Sequence, residues 1–126
     1  MGLVYHTHYL DYFEWARTEA LRAMGLAYKD LEASGVIMPV IDLAIQYKSP
    51  ARYDDLIEIT TLFKGPVPRV RLRIDYEVHG VDAPDLLATG HVTLCFFHVE
   101  RQRPIPAPAI VRKVFAQAMA RIEDEG

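Results

Sequence analysis

The strongest constraint on the fold of this chain is the unbroken alternation across residues 69–79. Val70, Leu72, Ile74, Tyr76 and Val78 fall on one side, and Arg69, Arg71, Arg73, Asp75, Glu77 and His79 on the other. Successive side chains of a strand point to opposite faces, so this stretch reads as a strand with one face in a core and one in water. That is the signature of an antiparallel sheet; a strand in a parallel sheet is apolar on both faces. Two earlier segments carry the same period. In 36–48, Ile41, Leu43, Ile45 and Tyr47 oppose Asp42, Ala44, Gln46 and Lys48, with Pro39 marking an irregular entry or an edge. In 56–64, Ile57, Ile59, Thr61 and Phe63 oppose Glu58, Thr60 and Lys64, and Gly65-Pro66-Val67-Pro68 ends the run. Residues 86–99 are the most apolar, which places that strand centrally, and Gly90 within it implies a bulge or a close approach of another backbone.

A different period precedes the strands. Over 9–24, Tyr9, Phe13, Ala16, Ala20 and Met24 recur at three and four residues, flanked by Tyr12 and Ala23 on one side and Leu10 and Leu21 on the other. Asp11, Glu14, Trp15, Thr18 and Arg22 take the far side, and Gly25 is a natural C-terminal cap. So wide an apolar arc predicts a helix wrapped by other structure. Arg17 lies inside that arc and needs a partner or a route to water, with Glu14 or a loop carbonyl as its expected partner. A short helical turn is expected within 26–35, ending at Gly35, and a last amphipathic helix over 108–122.

The chain has 126 residues, 51% hydrophobic and 25% charged, which fits a single α+β domain. The net charge of −3 disfavours general nucleic-acid binding. No apolar run reaches membrane-spanning length, no signal-peptide pattern opens the chain, and one cysteine, Cys95, excludes an internal disulfide framework. A cytoplasmic location is therefore expected. Four strands cannot enclose a helix without leaving apolar sheet exposed, and a dimer joining sheets edge to edge answers that problem.

The run Gly2-Leu3-Val4-Tyr5-His6, followed by Tyr9, Tyr12-Phe13-Glu14, Ala16-Arg17 and Glu19, resembles the signature of the 4-hydroxybenzoyl-CoA thioesterase family, in particular its YbgC-type acyl-CoA thioesterases. The resemblance continues through Tyr47, Pro50-Ala51-Arg52, Asp55, Leu56-Ile57-Glu58-Ile59 and the Arg103-Pro104 to Pro106 segment, so it covers nearly the whole chain in order. It implies a hotdog fold, a curved antiparallel sheet wrapped round one long helix. It also implies hydrolysis of acyl-CoA at a dimer interface, in a homodimer or homotetramer, with no cofactor or metal. It further implies a carboxylate three residues before Gly2, in a first strand. The carboxylate position and most of that strand fall upstream of Met1; either the natural protein starts further upstream, which is the favoured expectation, or another group takes the carboxylate's part.

The resemblance places the thioester carbonyl at the start of the long helix, where free N–H groups and the positive dipole end can meet an oxyanion. His6 is the sharpest catalytic candidate, as a polarising group or a proton carrier; the alternative is a helix-entry histidine satisfied by backbone. His6 and His8 are too few ligands for zinc. Tyr5 lines an acyl pocket or is a plain core aromatic, and Tyr9 is a substrate-contact candidate. Glu14 is either an interface carboxylate acting as base or a partner of Arg17 or Thr18. Arg52, Arg101 and Arg103 occupy the loops where the family places contacts to CoA phosphates. Arg69, Arg71 and Arg73 read as a solvated strip, and Cys95 as inert core. Two other readings stay open: a dehydratase or hydratase of the same fold, and a non-catalytic acyl-CoA-binding subunit.

Overall fold

A computed structural model describes the backbone of residues 6–49, 56–81 and 86–125, and the side chains of 9–49, 56–81 and 86–121. The chain runs α1 (His6–Met24), α2 (Tyr28–Ala33), β1 (Val36–Ile37), β2 (Val40–Tyr47), β3 (Ile57–Leu62), β4 (Arg71–Gly80), β5 (Leu86–His98), β6 (Arg103–Ile105) and α3 (Ala109–Glu125). Helix α1 begins three residues before the apolar pattern does. It ends as expected at Gly25, whose φ is +105°. The Leu26 N–H donates to the Leu21 carbonyl at 2.9 Å and the Gly25 N–H to that of Arg22 at 2.9 Å, a Schellman closure with Leu21 and Leu26 both buried.

β5 is the spine of an antiparallel sheet, as its apolar sequence predicts. On one side it pairs β1 and then β2; on the other it pairs β4 and then β6, with β3 outside β4. The single strand expected over 36–48 is broken at Met38-Pro39, and the register shifts between Val40 and Asp42. Proline lacks the N–H a ladder needs, but its carbonyl still accepts from Cys95 N–H at 3.1 Å. β6 had no sequence signal. Its pairing of Phe96 with Ile105 is set by β5, beyond the reach of local pattern.

The core forms where α1 lies against the sheet. Tyr9, Phe13, Ala16 and Leu21 of α1 meet Leu72, Ile74, Tyr76 and Val78 of β4 and Ala88, Val92, Leu94 and Phe96 of β5, with Val111, Val114 and Phe115 of α3 closing one side. Val70 departs from the alternation: it precedes β4 and is exposed. Gly90 does mark a close approach, chiefly by a side chain. A Cβ there would sit 2.6 Å from Phe13 Cε2 and 3.0 Å from the Ala44 carbonyl oxygen. Cys95 is not core; it is half-buried on the face opposite α1, paired across strands with Arg71. Among the described residues no helix is long and apolar enough to cross a membrane.

Candidate active site

The start of α1 is the natural focus for acyl chemistry. The N–H groups of its first turn have no partners within the helix, and no acidic side chain in that turn neutralises them. Three aromatic rings anchor this end. Tyr9 is buried and stacks on Tyr47 of β2 at 5.7 Å between centroids and 24° between planes. It stacks in turn on Phe13 at 6.4 Å and 13°. Phe13 lies flat on Tyr76 of β4 at 4.2 Å and 4°. A file of rings therefore runs from Tyr47, which is 50% exposed at the sheet edge, to Tyr76 in the core. Burial raises the Tyr9 pKa, and the neighbouring Tyr47 and Tyr12 raise it further, so its phenol stays protonated at neutral pH.

The inner end of the file meets Arg17. The Tyr76 pKa is pushed up to about 12 by burial, against a lowering pull from the Arg17 guanidinium. Arg17 does not hold Glu14. Its Nε and the Tyr76 hydroxyl are both sealed from solvent and have no hydrogen-bond partner among the described residues. The carboxylate–guanidinium pair on α1 is Glu19–Arg22 at 3.2 Å. Glu14 is exposed on the far side of α1, about 140° round the helix from Tyr9, and its backbone carbonyl accepts from the Thr18 hydroxyl at 2.9 Å.

Arg101 and Arg103 are exposed, at the turn between β5 and β6. The Arg101 N–H donates to His98 Nδ1 at 3.2 Å, and the Val99 N–H donates to the Gly35 carbonyl at 2.9 Å, so the turn is tied down. Among the described residues neither arginine makes an ion pair. Arg103 pairs with His98, whereas Tyr47, beside the helix start, pairs with Ala88. At ~3.3 Å per residue the two ends stand roughly 33 Å apart along β5. The fold thus brings Tyr9 together with the helix start but separates both from Arg101 and Arg103. Tyr5, Arg52 and the His6 side chain lie outside the described residues.

Tyr47 belongs to the candidate site, although the sequence reading names it only in the family resemblance and not as a site residue. Its place at the end of an alternating segment was visible, but its stacking on Tyr9 depends on the β2–β5 register. A further groove of about 240 Å³ lies beside Arg69 and Arg71, floored by Phe63 and Phe115 in edge-to-face contact at 5.3 Å. Among the described residues no three His, Cys, Asp or Glu side chains come together as metal ligands.

The sequence profile of the thioesterase-like superfamily matches residues 1–117. The chain belongs to that superfamily. Within it the YbgC-type branch expected from the N-terminal run is the right one. The acyl-CoA thioesterase YbgC of Haemophilus influenzae is 31% identical over 116 residues, covering 90% of this chain and 82% of that protein. The putative acyl-CoA thioesterase YneP of Bacillus subtilis is 41% identical over 61 residues, 48% of this chain and 44% of that one. The chain spans about half the length of several curated relatives it matches. Among solved structures, a DHNA-CoA thioesterase of Staphylococcus aureus superposes with a TM-score of 0.83 at 26% identity, covering 100% of this chain and 85% of that one. The hotdog fold of the superfamily is the fold described above.

Proposed function

We propose that this thioesterase-superfamily chain hydrolyses acyl-CoA thioesters, at a site completed by two copies of the chain. Water adds to the thioester carbonyl, the C–S bond breaks, and CoA leaves as thiolate to take up a proton. The carrying observation is the start of α1, whose first-turn N–H groups have no partner within the helix, beside the exposed ring of Tyr47. Free N–H groups there can meet the oxygen that becomes negative, and one such donor is typically worth about 2.7–4 kcal/mol in the transition state. Tyr9 and Tyr47 form an apolar wall for the acyl group. His6, at the first helical position, polarises the carbonyl or carries the proton, with Tyr5, next to it in sequence, as the candidate acyl-contact residue.

The separation along β5 supports the two-copy arrangement. Arg101 and Arg103 suit the CoA phosphates, but in one chain Arg103 pairs at the end of β5 opposite Tyr47, roughly 33 Å away along the strand. Guanidinium and phosphate are matched in charge and geometry. A second copy supplies those arginines from the other direction. The apolar residues Ile41 and Leu43, exposed along β2, give that copy an edge to pair with. Glu14, turned away from its own helix start, is then free to act as the base facing the other subunit. A single unpaired cysteine suits the cytoplasm.

A panel of acyl-CoAs of differing chain length, with free thiol followed over time, tests this reading. Release of CoA that falls by 10²-fold or more in His6→Ala is expected. Tight acyl-CoA binding with no thiol released would instead make the chain a binding subunit.

A further inference from the structure

Arg17 stands inside the apolar arc of α1, one turn beyond Phe13 and one turn before Leu21, both fully buried. Phe13 lies flat on the Tyr76 ring at 4.2 Å, so the next residue along that face of the helix reaches the same part of β4. The Arg17 guanidinium is close enough to pull the Tyr76 pKa down against the effect of burial, and the Tyr28 phenol, at the start of α2, acts on the same hydroxyl. Tyr28 itself packs on the core. Three elements thus bring a guanidinium and two phenols together. Arg17 is half-buried as a whole, but its Nε and the Tyr76 hydroxyl are sealed from solvent, and neither has a hydrogen-bond partner among the described residues.

Among the described residues no carboxylate answers this charge. Glu14 is exposed on the far side of α1, and Glu19 is held by Arg22 at 3.2 Å. Asp30 and Glu32 of α2 are exposed. Asp75 and Glu77 flank Tyr76 in β4, so their side chains point to the opposite face of the sheet. A guanidinium cannot shed its proton. Withdrawn from water, it needs an opposite charge and hydrogen bonds. We propose that Arg17 and Tyr76 bind one small monovalent anion of halide size, with Tyr28 as a further donor. The donor set fits that chemistry. Burial keeps the Tyr76 phenol protonated at neutral pH, so both sealed groups can donate. A cation is repelled by the guanidinium, and a water molecule leaves the charge unanswered. A phosphate dianion has more acceptor oxygens than these donors serve and costs more to desolvate. Arg17 lies eleven residues past His6, ~16 Å along α1, so this site is separate from the helix start. Its role is to tie α1 to β4 and α2.

The test follows urea unfolding of the full chain at fixed protein concentration, with chloride exchanged for the bulky anion gluconate at constant ionic strength. An anion that binds only the native state lowers the unfolding constant by about tenfold per tenfold rise in chloride once the site is filled. Wild type should approach that slope and Arg17→Met should show none. Tyr76→Phe should match wild type in gluconate and fall behind it as chloride is added. Bromide gives a second reading on wild type alone, which stands even if a variant folds poorly. Crystals grown in bromide should show an anomalous peak in contact with Arg17 Nε and the Tyr76 hydroxyl. A wild-type unfolding constant indifferent to chloride, an equal slope in folded Arg17→Met, or no bromide signal between the two groups would each overturn the proposal. Density there without anomalous signal would assign the place to water instead.

Discussion

At the residue scale, two positions carry most of what can be tested in the core. Gly90 lets the Phe13 ring lie on β5; a methyl group there would sit 2.6 Å from Phe13 Cε2. Gly90→Ala should therefore destabilise the fold by about 1–3 kcal/mol, read from the urea midpoint, and Phe13→Leu in the same chain should recover part of the loss. Tyr76 is the second. Its hydroxyl is buried with no hydrogen-bond partner among the described residues, so Tyr76→Phe should leave neutral-pH stability unchanged within about 0.5 kcal/mol or raise it. The effect of pH separates the two side chains. Below pH 10 both folded and unfolded chains keep the Tyr76 proton. Between pH 10 and about 12 the unfolded chain releases it and the native state retains it, so stability falls as pH rises through that window. The loss is of order 2 kcal/mol, and Tyr76→Phe should lack that part of the decline when urea midpoints are compared at the two ends of the window. Neither effect was visible in the sequence. Gly90 could be flagged as unusual and Arg17 as misplaced, but their partners stand on other elements and are chosen by register.

At the element scale, β2 is where pattern and burial part company. Its alternation is as clear as that of β4, yet most of its residues are exposed, including Val40, Ile41, Leu43 and Tyr47. The reason is position: β2 pairs only with β5, and its outer edge is open. Alternation reports which way side chains point, but not whether anything lies over them. Leu43→Lys should accordingly change monomer stability by less than about 0.5 kcal/mol while weakening self-association, with sedimentation as the check. The helices were more faithful to their sequence, because caps and periodicity are local. The closure at Gly25 holds a left-handed φ of +105°, and Gly25→Ala should cost about 1 kcal/mol in thermal or urea unfolding.

At the scale of the whole molecule, the candidate site residues are spread along β5. A helix start and a pair of arginines at opposite ends of β5 cannot serve one CoA from a single chain if both touch it at once. Mixing His6→Ala with Arg103→Ala protein should then restore hydrolysis at low acyl-CoA concentration, since one site of each mixed pair draws its helix start and its arginine from unaltered partners. No recovery above the sum of the two variants would place both groups in the same chain's site. Alone, Arg103→Ala should raise KM for CoA esters and leave short non-CoA thioesters unaffected. An equal effect on both would remove its role at the phosphates.

The sequence by itself determined the class of the fold, the long wrapped helix, the antiparallel strands, the central place of β5 and the family. Periodicity, capping and motif order are local quantities, and they survive without knowledge of what packs on what. Only the tertiary structure decided that Tyr47 stacks on Tyr9, that Arg17 faces Tyr76 instead of Glu14, that Cys95 points away from the core, and that Arg103 stands far from the helix start. Each of these depends on strand register and on which edge is covered. Those choices come from contacts between residues distant in sequence, where a shift of one position would turn every side chain to the opposite face.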